Sequence, residues 1–439
     1  MTALASLLSA PTTRDAPVSA APAASVAVLD VGASKTACLI GRAATRGAGA
    51  LVEGLGCEAA PGYASGKAAD FDACARGMRI ALDEAERGAG IAAARVTLSY
   101  AGPGLRGGVV RGGVKLRSGR VGPREVQAAL AAAIQSAPAP GCAALHVLPL
   151  GYSVDGGEAI PDPRGQEGRW LEAEACVVTA PAQAIEALKR CARGAGAAPE
   201  AVVAGPYAAA LGAASEEERE SGVLVIDLGA GGAGVAAMAE GALMHLDHIP
   251  IGGARITRDL ARRLSTTFAV AERVKLMHGV VGGGFNPREA IETPRVGADG
   301  RLESHASPRG LVADAIAARL AEIFRLARAS LDRAGLEPHR MPRRAILVGG
   351  GAQLPGAAEF AADYLKMPTR VGRLHGAATF DHVGAAPGLA AASGLLDWRL
   401  TQCVLENEEE RPAEFDLRAL GAQAAIAATR AWGWLKQNF

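Results

Sequence analysis

Two apolar segments that end in aspartate and glycine organise the hydrophobic pattern of the chain. Residues 26–32 (VAVLDVG) and 223–229 (VLVIDLG) each predict a buried strand with an acidic residue near its carboxyl end. Residues 36–41 predict a second strand after the first segment, and residues 235–239 and 243–249 predict a hairpin after the second. Because the two units lie about 200 residues apart, the pattern indicates an internal duplication.

The rest of the pattern predicts an α/β protein with a small inserted unit. Helical spacing of apolar residues predicts helices at 70–88, 181–194, 207–214, 256–264, 269–278 and 311–334, and apolar runs predict strands at 96–100 and 345–348. Between residue 102 and about residue 180, strand-like runs flank a stretch rich in Gly, Pro and Asp, which favours a separate α+β insertion. The acidic run at 215–221 predicts a solvated loop.

The two ends of the chain differ from the middle in composition. Residues 1–24 are mainly Ala, Pro, Ser and Thr and predict a flexible arm, and the acidic run at 406–414 predicts a linker. After the linker, one stripe of a predicted helix carries Ala428, Trp432, Leu435 and Phe439, with Trp434 at its flank. Tryptophan and phenylalanine beside basic residues suit the lipid headgroup boundary, so we predict a membrane-targeting amphipathic helix; a helix docked on the protein's own surface is the alternative.

Composition excludes several classes of protein. The chain has 439 residues with a net charge of +1, a balance that argues against a dedicated nucleic-acid binder. Its seven cysteines are odd in number and lack Cys-x-x-Cys spacing, which argues against a disulfide framework or a structural zinc site and favours a reducing cytoplasm. We find no secretory signal and no apolar run of about 18 residues, so no transmembrane helix is predicted.

The first of three glycine-rich turns follows the strand at 26–31. Asp30 precedes the small residues Gly32, Ala33 and Ser34, and then Lys35. Backbone N–H groups in such a turn can cradle phosphate oxygens, while Lys35 neutralises phosphate charge and Asp30 holds a hydrated Mg²⁺. For this loop alone, an ordinary hairpin with a solvated lysine is the alternative.

The other two turns also follow apolar strands. Asp227 precedes Gly229, Ala230, Gly231 and Gly232; the formal G-x-G-x-x-G spacing does not indicate a Rossmann site, because a hairpin and not a helix is predicted next. The third turn consists of Gly349, Gly350 and Gly351. Without side chains there, an adenine or ribose can lie against the backbone, although a plain strand-to-helix turn is the alternative.

The order and spacing of the three turns resemble the actin/Hsp70 ATPase superfamily, and within it the chain is similar to the bacterial cell-division family FtsA. The similarity includes residues 146–149 (HVLP), 204–206 (AGP), 271–273 (AER), 278–279 (HG) and the ending at 432–439. It implies an actin-like α/β fold of two RNase-H-like halves with ATP in the cleft between them. It also implies an inserted α+β subdomain and a C-terminal amphipathic helix.

The resemblance implies a role for individual residues. Asp30 and Asp227 approach Mg²⁺ through water, residues 32–35 and 229–232 line the phosphates, and residues 349–351 meet the adenosine. Glu272 and Lys275 lie near the ribose. Arg319 and Glu322 match the region of the family that binds the C-terminal peptide of the tubulin-like ring protein FtsZ; a solvated helix face is the alternative for each of these two.

The resemblance also implies a division of the chain. Residues 1–24 form the arm, 25–103 and 183–206 subdomain 1A, 104–182 the inserted subdomain 1C, 207–250 subdomain 2A, 251–338 subdomain 2B, 339–377 a return to 2A, 378–404 a return to 1A, 405–423 the linker and 424–439 the amphipathic helix.

The chain departs from the superfamily where an attacking water is oriented. Gly205 stands where many members have Glu, and Gly232 and Gly234 stand where the second loop often has Thr and Asp. Because hydrolysis depends on such positioning, we expect tight ATP binding with slow or negligible turnover.

The function implied by the resemblance is that of an ATP-binding, polymerising division protein. It tethers FtsZ filaments to the cytoplasmic face of the inner membrane at the septum and helps recruit later division proteins. Two alternatives remain: an actin-fold small-molecule kinase or chaperone ATPase, and an adaptor of a pilus or secretion machine such as PilM. A kinase needs a substrate-side carboxylate base, a chaperone needs a further binding domain, and the terminal amphipathic helix disfavours the adaptor.

Overall fold

The computed structural model describes residues 25–43, 50–64, 66–135, 137, 140–374 and 387–409. The expected arm at 1–24 and the expected amphipathic helix, with Ala428, Trp432, Trp434, Leu435 and Phe439, lie outside the described residues. Among those that are described, no helix combines the length and apolarity needed to cross a membrane.

The described elements alternate between strands and helices. The strands are β1 (Val26–Val31), β2 (Lys35–Ala43), β3 (Ala50–Ala59), β4 (Tyr63–Ala64), β5 (Lys67–Ala68), β6 (Arg95–Tyr100), β7 (Arg106–Lys115), β8 (Cys142–Val154), β9 (Trp170–Pro181), β10 (Ala198–Ala204), β11 (Val223–Leu228), β12 (Ala233–Ala239), β13 (Ala242–Ile249), β14 (Ala290–Glu292), β15 (Arg295–Val296), β16 (Leu302–Glu303), β17 (Ala306–Pro308), β18 (Arg344–Val348) and β19 (Thr369–Val371). The helices are α1 (Phe71–Ala89), α2 (Pro123–Gln135), α3 (Ala182–Gly194), α4 (Gly205–Ala213), α5 (Glu216–Ser221), α6 (Gly253–Arg263), α7 (Phe268–His278), α8 (Arg309–Ala334), α9 (Ala357–Leu365) and α10 (Ala390–Glu409).

The two large sheets repeat one strand order. The first sheet runs β3-β2-β1-β6-β10, and the second contains the equivalent run β13-β12-β11-β18-β19. In each run the central strand pairs antiparallel with the next strand of the chain and parallel with a strand that returns on its other side. This repetition agrees with the duplication predicted from the two strand-Asp-x-Gly segments. The fold is α/β and actin-like, with two RNase-H-like halves.

The inserted unit extends the second sheet, although its place in the chain is inside the first half. β7 pairs antiparallel with β13, joining Gly107 to Leu246 and Gly108 to His245, and β9 and β8 follow outward. The second sheet therefore has eight strands. α2 covers the insertion by packing Leu130 against a small core that includes Leu171. The unit is α+β as predicted, but β7 and α2 were not predicted from the pattern.

The cores of the two halves are continuous. One cluster of buried residues joins Leu29 and Leu98 of the first sheet to Val225 and Ile346 of the second. A second cluster fills the space between the second sheet and the helices α6, α8 and α9, with Phe324 fully buried near its centre. Alanine and branched aliphatic residues dominate both, as the low aromatic content of 4% requires.

The prediction of a solvated loop at 215–221 is wrong, because this segment forms α5. The Ser215 hydroxyl accepts from the Glu218 backbone N–H (3.2 Å), and the Glu218 carboxylate accepts from the Ser215 backbone N–H (3.0 Å), which is a capping box. Glu218 is also buried and pairs with Arg370. At the other end of the described chain, α10 continues to Glu409, past the expected start of the linker at residue 405.

Candidate functional site

A cleft of about 630 Å³ lies at the carboxyl ends of β1 and β11. This volume lies within the usual range for small-molecule sites. The three glycine turns and α7 line it, and every residue predicted for nucleotide contact is present: Asp30, Gly32, Ala33, Ser34, Lys35, Asp227, Gly229, Ala230, Gly231, Gly232, Glu272, Lys275, Gly349, Gly350 and Gly351. The fold therefore brings together residues from 30 to 351 of the chain.

Backbone hydrogen bonds hold the turns in place. In the first turn, Gly32 N donates to Lys35 O (2.9 Å). Gly253 N donates to Gly229 O (2.9 Å), which ties the second turn to the start of α6. Gly349 N donates to Pro387 O (2.9 Å), which ties the third turn to the segment that leads into α10. The second and third turns are thus held in place by hydrogen bonds to other segments of the fold.

The two aspartates are half-buried at the cleft, in an electrostatically unfavourable position. Burial raises the pKa of Asp30, although a hydrogen bond from the Ser99 hydroxyl (2.5 Å) and the nearby Lys35 oppose the shift. Burial and the charge of Asp30 together raise the pKa of Asp227 to about 7, again opposed by Lys35. A cation in the cleft would stabilise both carboxylates in their charged form.

This donor set fits a hydrated Mg²⁺. Two carboxylates near a phosphate-sized turn match the way Mg²⁺ is usually held, with several waters retained. The residues that the structure describes contain no cluster of three or more His, Cys, Asp or Glu side chains suited to a metal, so a site built entirely from protein ligands is not found among them. Asp30 and Asp227 are the residues that would hold the ion.

Glu272 and Lys275 form one polar group at the wall of the cleft. The Lys275 ammonium donates to the Glu272 carboxylate (2.8 Å) and to the Thr257 hydroxyl (2.9 Å), and Thr257 is also hydrogen-bonded to Glu272. The contacts join α7 to α6. Beside them the lining becomes apolar, with Ile256, Leu276, Leu320, Ile323 and Leu354.

Arg319 and Glu322 lie on α8, and neither lines the cleft. Arg319 donates to Asp259 on α6 (2.5 Å) and to Glu322 (2.5 Å), and its guanidinium lowers the pKa of Asp259. The side chains of Arg319 and Glu322 are 30% and 32% exposed, so the pair is reachable from solvent while it holds α8 to α6.

Several lining residues were not predicted. Gln353 is polar, and the apolar wall cannot be told from ordinary core in the sequence. Ser99, which does not line the cleft but donates to Asp30, was not predicted either. Ser99 lies near the end of β6, which runs parallel to β1, so its place beside Asp30 was accessible to a strand-pairing argument. His248 is a further lining residue that was not predicted; His245, three residues earlier on the same strand, bonds to the Ser330 hydroxyl (2.8 Å) instead.

Comparison with protein families gives two matches. Residues 224–394 match the family described as "Cell division protein FtsA", and residues 102–179 match the "SHS2 domain inserted in FTSA". The second match covers most of the inserted unit that extends the second sheet.

The chain is also similar to whole proteins and to solved structures. It is 33% identical over 424 residues to the cell division protein FtsA of Rhizobium meliloti (strain 1021), covering 94% of this chain and 95% of that protein. It is 30% identical to FtsA of Pseudomonas aeruginosa over 377 residues, covering 85% and 88%.

Two solved structures share the fold at low identity. The PilM-PilN type IV pilus biogenesis complex gives a TM-score of 0.61 at 20% identity, covering 86% of this chain and 99% of that chain. MreB 5 of Spiroplasma citri bound to AMPPNP gives 0.53 at 14%, covering 91% and 99%. Since the whole-length relatives and the family matches agree, the chain belongs to the FtsA family of cell-division proteins.

Proposed function

We propose that the protein binds ATP with Mg²⁺, polymerises, and tethers FtsZ filaments to the cytoplasmic face of the inner membrane at the division septum, where it helps recruit later division proteins. The observation that carries the nucleotide part is the meeting of two half-buried aspartates and three glycine turns in one cleft. Membership of the FtsA family supports the division part. The MreB 5 structure with the same fold contains AMPPNP, which supports a nucleotide in this cleft.

Different residues of the cleft are proposed to bind different parts of the nucleotide. The two glycine turns after β1 and β11 offer backbone N–H groups to phosphates, and Lys35 supplies a positive charge. Asp30 and Asp227 would hold Mg²⁺ through water, and the ion would neutralise phosphate charge. Glu272 and Lys275 offer a polar edge for the ribose, and the apolar wall that includes Leu276 suits the base.

Slow hydrolysis follows from the residues near the start of α4. Gly205 and Gly234 carry no side chain that can orient water, and a Cβ on Gly234 would lie 2.6 Å from Pro206 Cγ. The ring of Pro206 therefore takes up the room beside Gly234. We propose that nucleotide state controls assembly and that the chemical step is slow; single-turnover hydrolysis as fast as a kinase would contradict this.

Membrane attachment is proposed for the sequence-predicted helix at 424–439. A single short helix is a weak anchor, but many copies in one filament raise the effective concentration of anchors and so strengthen attachment. Polymerisation and tethering are thus linked without any need for fast chemistry.

Co-sedimentation with liposomes tests the tether. We expect the full-length protein with ATP to pellet with vesicles that contain anionic lipid, and a version ending at Ala422 to stay in solution. Trp432→Ala should reduce pelleting, whereas Gln437→Ala, on the predicted polar side, should not. If the full-length protein stays in solution as well, the tether is wrong.

FtsZ recruitment is the second stage of the same experiment. FtsZ should join the pellet only with the full-length protein, and Arg319→Ala should reduce its recruitment. Arg328→Ala is the matched control, because Arg328 lies on the same helix and pairs with exposed Asp332. Equal recruitment by both variants would contradict a role for Arg319. A melting curve must accompany Arg319→Ala, since Arg319 also binds Asp259.

A further inference from the structure

His248 on β13 lines the cleft, and its ring has no polar partner among the residues that the structure describes. Both ring nitrogens are buried without a hydrogen bond. Burial lowers the pKa of His248 to about 4 although Asp247 opposes the shift, so the ring is neutral at physiological pH. An unpaired buried polar group is unfavourable, and native proteins keep few of them. A ligand in the cleft is therefore the expected hydrogen-bond partner of the His248 ring.

The ring lies against the second glycine turn. A Cβ built on Gly232 would lie 2.5 Å from both Nε2 and Cε1 of His248, so the imidazole occupies the space of a side chain at position 232. His248 also pairs with Gly234 between β12 and β13. Neither Gly232 nor Gly234 carries a side chain that could face the cleft. The neighbouring strand thus supplies a polar ring where the turn itself has none.

The charged groups around His248 are already engaged. Asp247 accepts from the His248 backbone N–H (2.8 Å) and from the Ser330 hydroxyl (2.6 Å), and Arg333 lies 3.6 Å from it. Lys275 and Glu272 pair with each other on α7. Asp30, Asp227 and Lys35 also line the cleft, and all three suit a metal or a phosphate. A neutral imidazole has one N–H donor to offer to that same ligand.

We propose that His248 is a specificity residue that recognises the terminal phosphate of a bound nucleoside triphosphate, by donating a hydrogen bond to it directly or through one water. This inference rests on the proposed nucleotide binding. Gly234 pairs with Asp227 on one side and with His248 on the other, so His248 lies in the same cross-strand row as a proposed Mg²⁺ ligand. In phosphoryl-transfer proteins Mg²⁺ bridges the β- and γ-phosphates, which puts the terminal phosphate at this end of the cleft. Rotation of the imidazole ring by 180° about the Cβ–Cγ bond exchanges the positions of its nitrogen and carbon atoms. This torsion has broad energy minima, so a ring nitrogen can turn towards the cleft when the nucleotide binds.

Nucleotide titrations of the full-length protein test this assignment. Binding of fluorescent N-methylanthraniloyl ATP and ADP is measured with Mg²⁺ at neutral pH. His248→Ala should weaken ATP binding about fivefold to tenfold, the value of one hydrogen bond, and leave ADP binding nearly unchanged. His248→Asn keeps an N–H donor and should retain part of the preference for ATP. His245→Asn, on the same strand but facing Ser330, is the matched control and should change neither affinity.

The outcomes separate the two proposals. If the wild-type protein binds ATP and His248→Ala leaves the ratio of ATP to ADP affinity unchanged, the assignment of His248 is wrong while nucleotide binding stands. If the wild-type protein binds neither nucleotide, the proposed function itself fails, and the assignment fails with it. If His248→Ala melts early, His248→Asn provides the comparison.

Discussion

At the scale of single residues, two carboxylates in one buried cleft set the electrostatics of the protein. The Asp30 carboxylate accepts a hydrogen bond from the Ser99 hydroxyl, which opposes the rise of its pKa. No comparable bond to Asp227 is found among the described residues, and burial together with the charge of Asp30 raises its pKa to about 7. The nucleotide-free protein therefore carries an unfavourable charge in the cleft at neutral pH. On the proposed function, a bound Mg²⁺ would relieve that cost, so ligand binding would stabilise the fold.

Asp227→Asn should stabilise the nucleotide-free protein above pH 7 and weaken Mg-ATP binding. The folded pKa of Asp227 lies above its unfolded value, so the folded state binds more protons between about pH 4 and pH 7, and stability falls as pH rises through this window. We expect a gain on the order of 1–3 kcal/mol at pH 8, none at pH 4, and at least about tenfold weaker Mg-ATP binding.

Thermal melts at several pH values and a Mg-ATP titration measure both effects. Asp363→Asn, at an exposed position on α9, is the control and should change neither. A variant that matches the wild type in stability at pH 8 would show that Asp227 is ionised in the folded protein without cost.

At the scale of elements, two helices cross between the halves with almost no space between them. A Cβ on Gly394 of α10 would lie 1.8 Å from Ala208 O, and one on Gly212 of α4 would lie 2.3 Å from Ala390 O. α10 also contacts β1, and α4 contacts β12, so this crossing connects the first sheet to the second. The small-residue character of the helix predicted at 207–214 is explained by this contact.

Gly394→Val should destabilise the protein by about 3 kcal/mol, because the atoms it would strike belong to backbone that cannot move aside. Urea unfolding followed by circular dichroism measures the loss. Gly283→Ala is the matched control: a Cβ there meets nothing within 4 Å. An unchanged unfolding midpoint for Gly394→Val would mean that α4 and α10 can separate at little cost.

At the scale of the whole molecule, ion pairs reinforce the attachment of the inserted unit to the second half. Arg340, between α8 and β18, donates to Glu174 on β9 (2.9 Å) and to Glu240 in the β12–β13 turn (3.1 Å). The side chains of Arg340 and Glu174 are only 13% exposed. Arg111 on β7 also pairs with Glu174 (2.7 Å). These contacts lie beside the β7–β13 ladder and hold the same two parts together.

Arg340→Met should loosen the insertion, since it leaves the buried Glu174 with Arg111 as its remaining partner among the described contacts. We expect amide hydrogen exchange in β7 and β9 to become about tenfold faster, the equivalent of about 1.4 kcal/mol of local stability. Arg301→Met, at a side chain that is 88% exposed, is the control. Unchanged exchange would mean that the strand ladder alone holds the unit.

Local signals explain how much of the site could be predicted from the sequence. Apolar runs that end at Asp30 and Asp227, followed by small residues, are short-range patterns, so the turns and the strands before them were predicted together. The acidic residues at 215–221 led to the wrong prediction of a solvated loop. Ser215 and Glu218 form a capping box there, and their spacing in the sequence could have indicated a helix. The lining residues Leu320 and Leu354 could not be distinguished from core residues, because both kinds are apolar.

The sequence by itself determined the duplicated strand-turn units, the chemistry of the three turns and the membership of a family. Each of these depends on residues that are neighbours in the chain. Only the tertiary structure decided that the inserted unit joins the second sheet through Gly107 and Leu246, and that His248 takes the space beside Gly232. Pairing between distant strands depends on backbone hydrogen bonds that every sequence can form. The hydrophobic periodicity of a strand therefore does not indicate which other strand it pairs with.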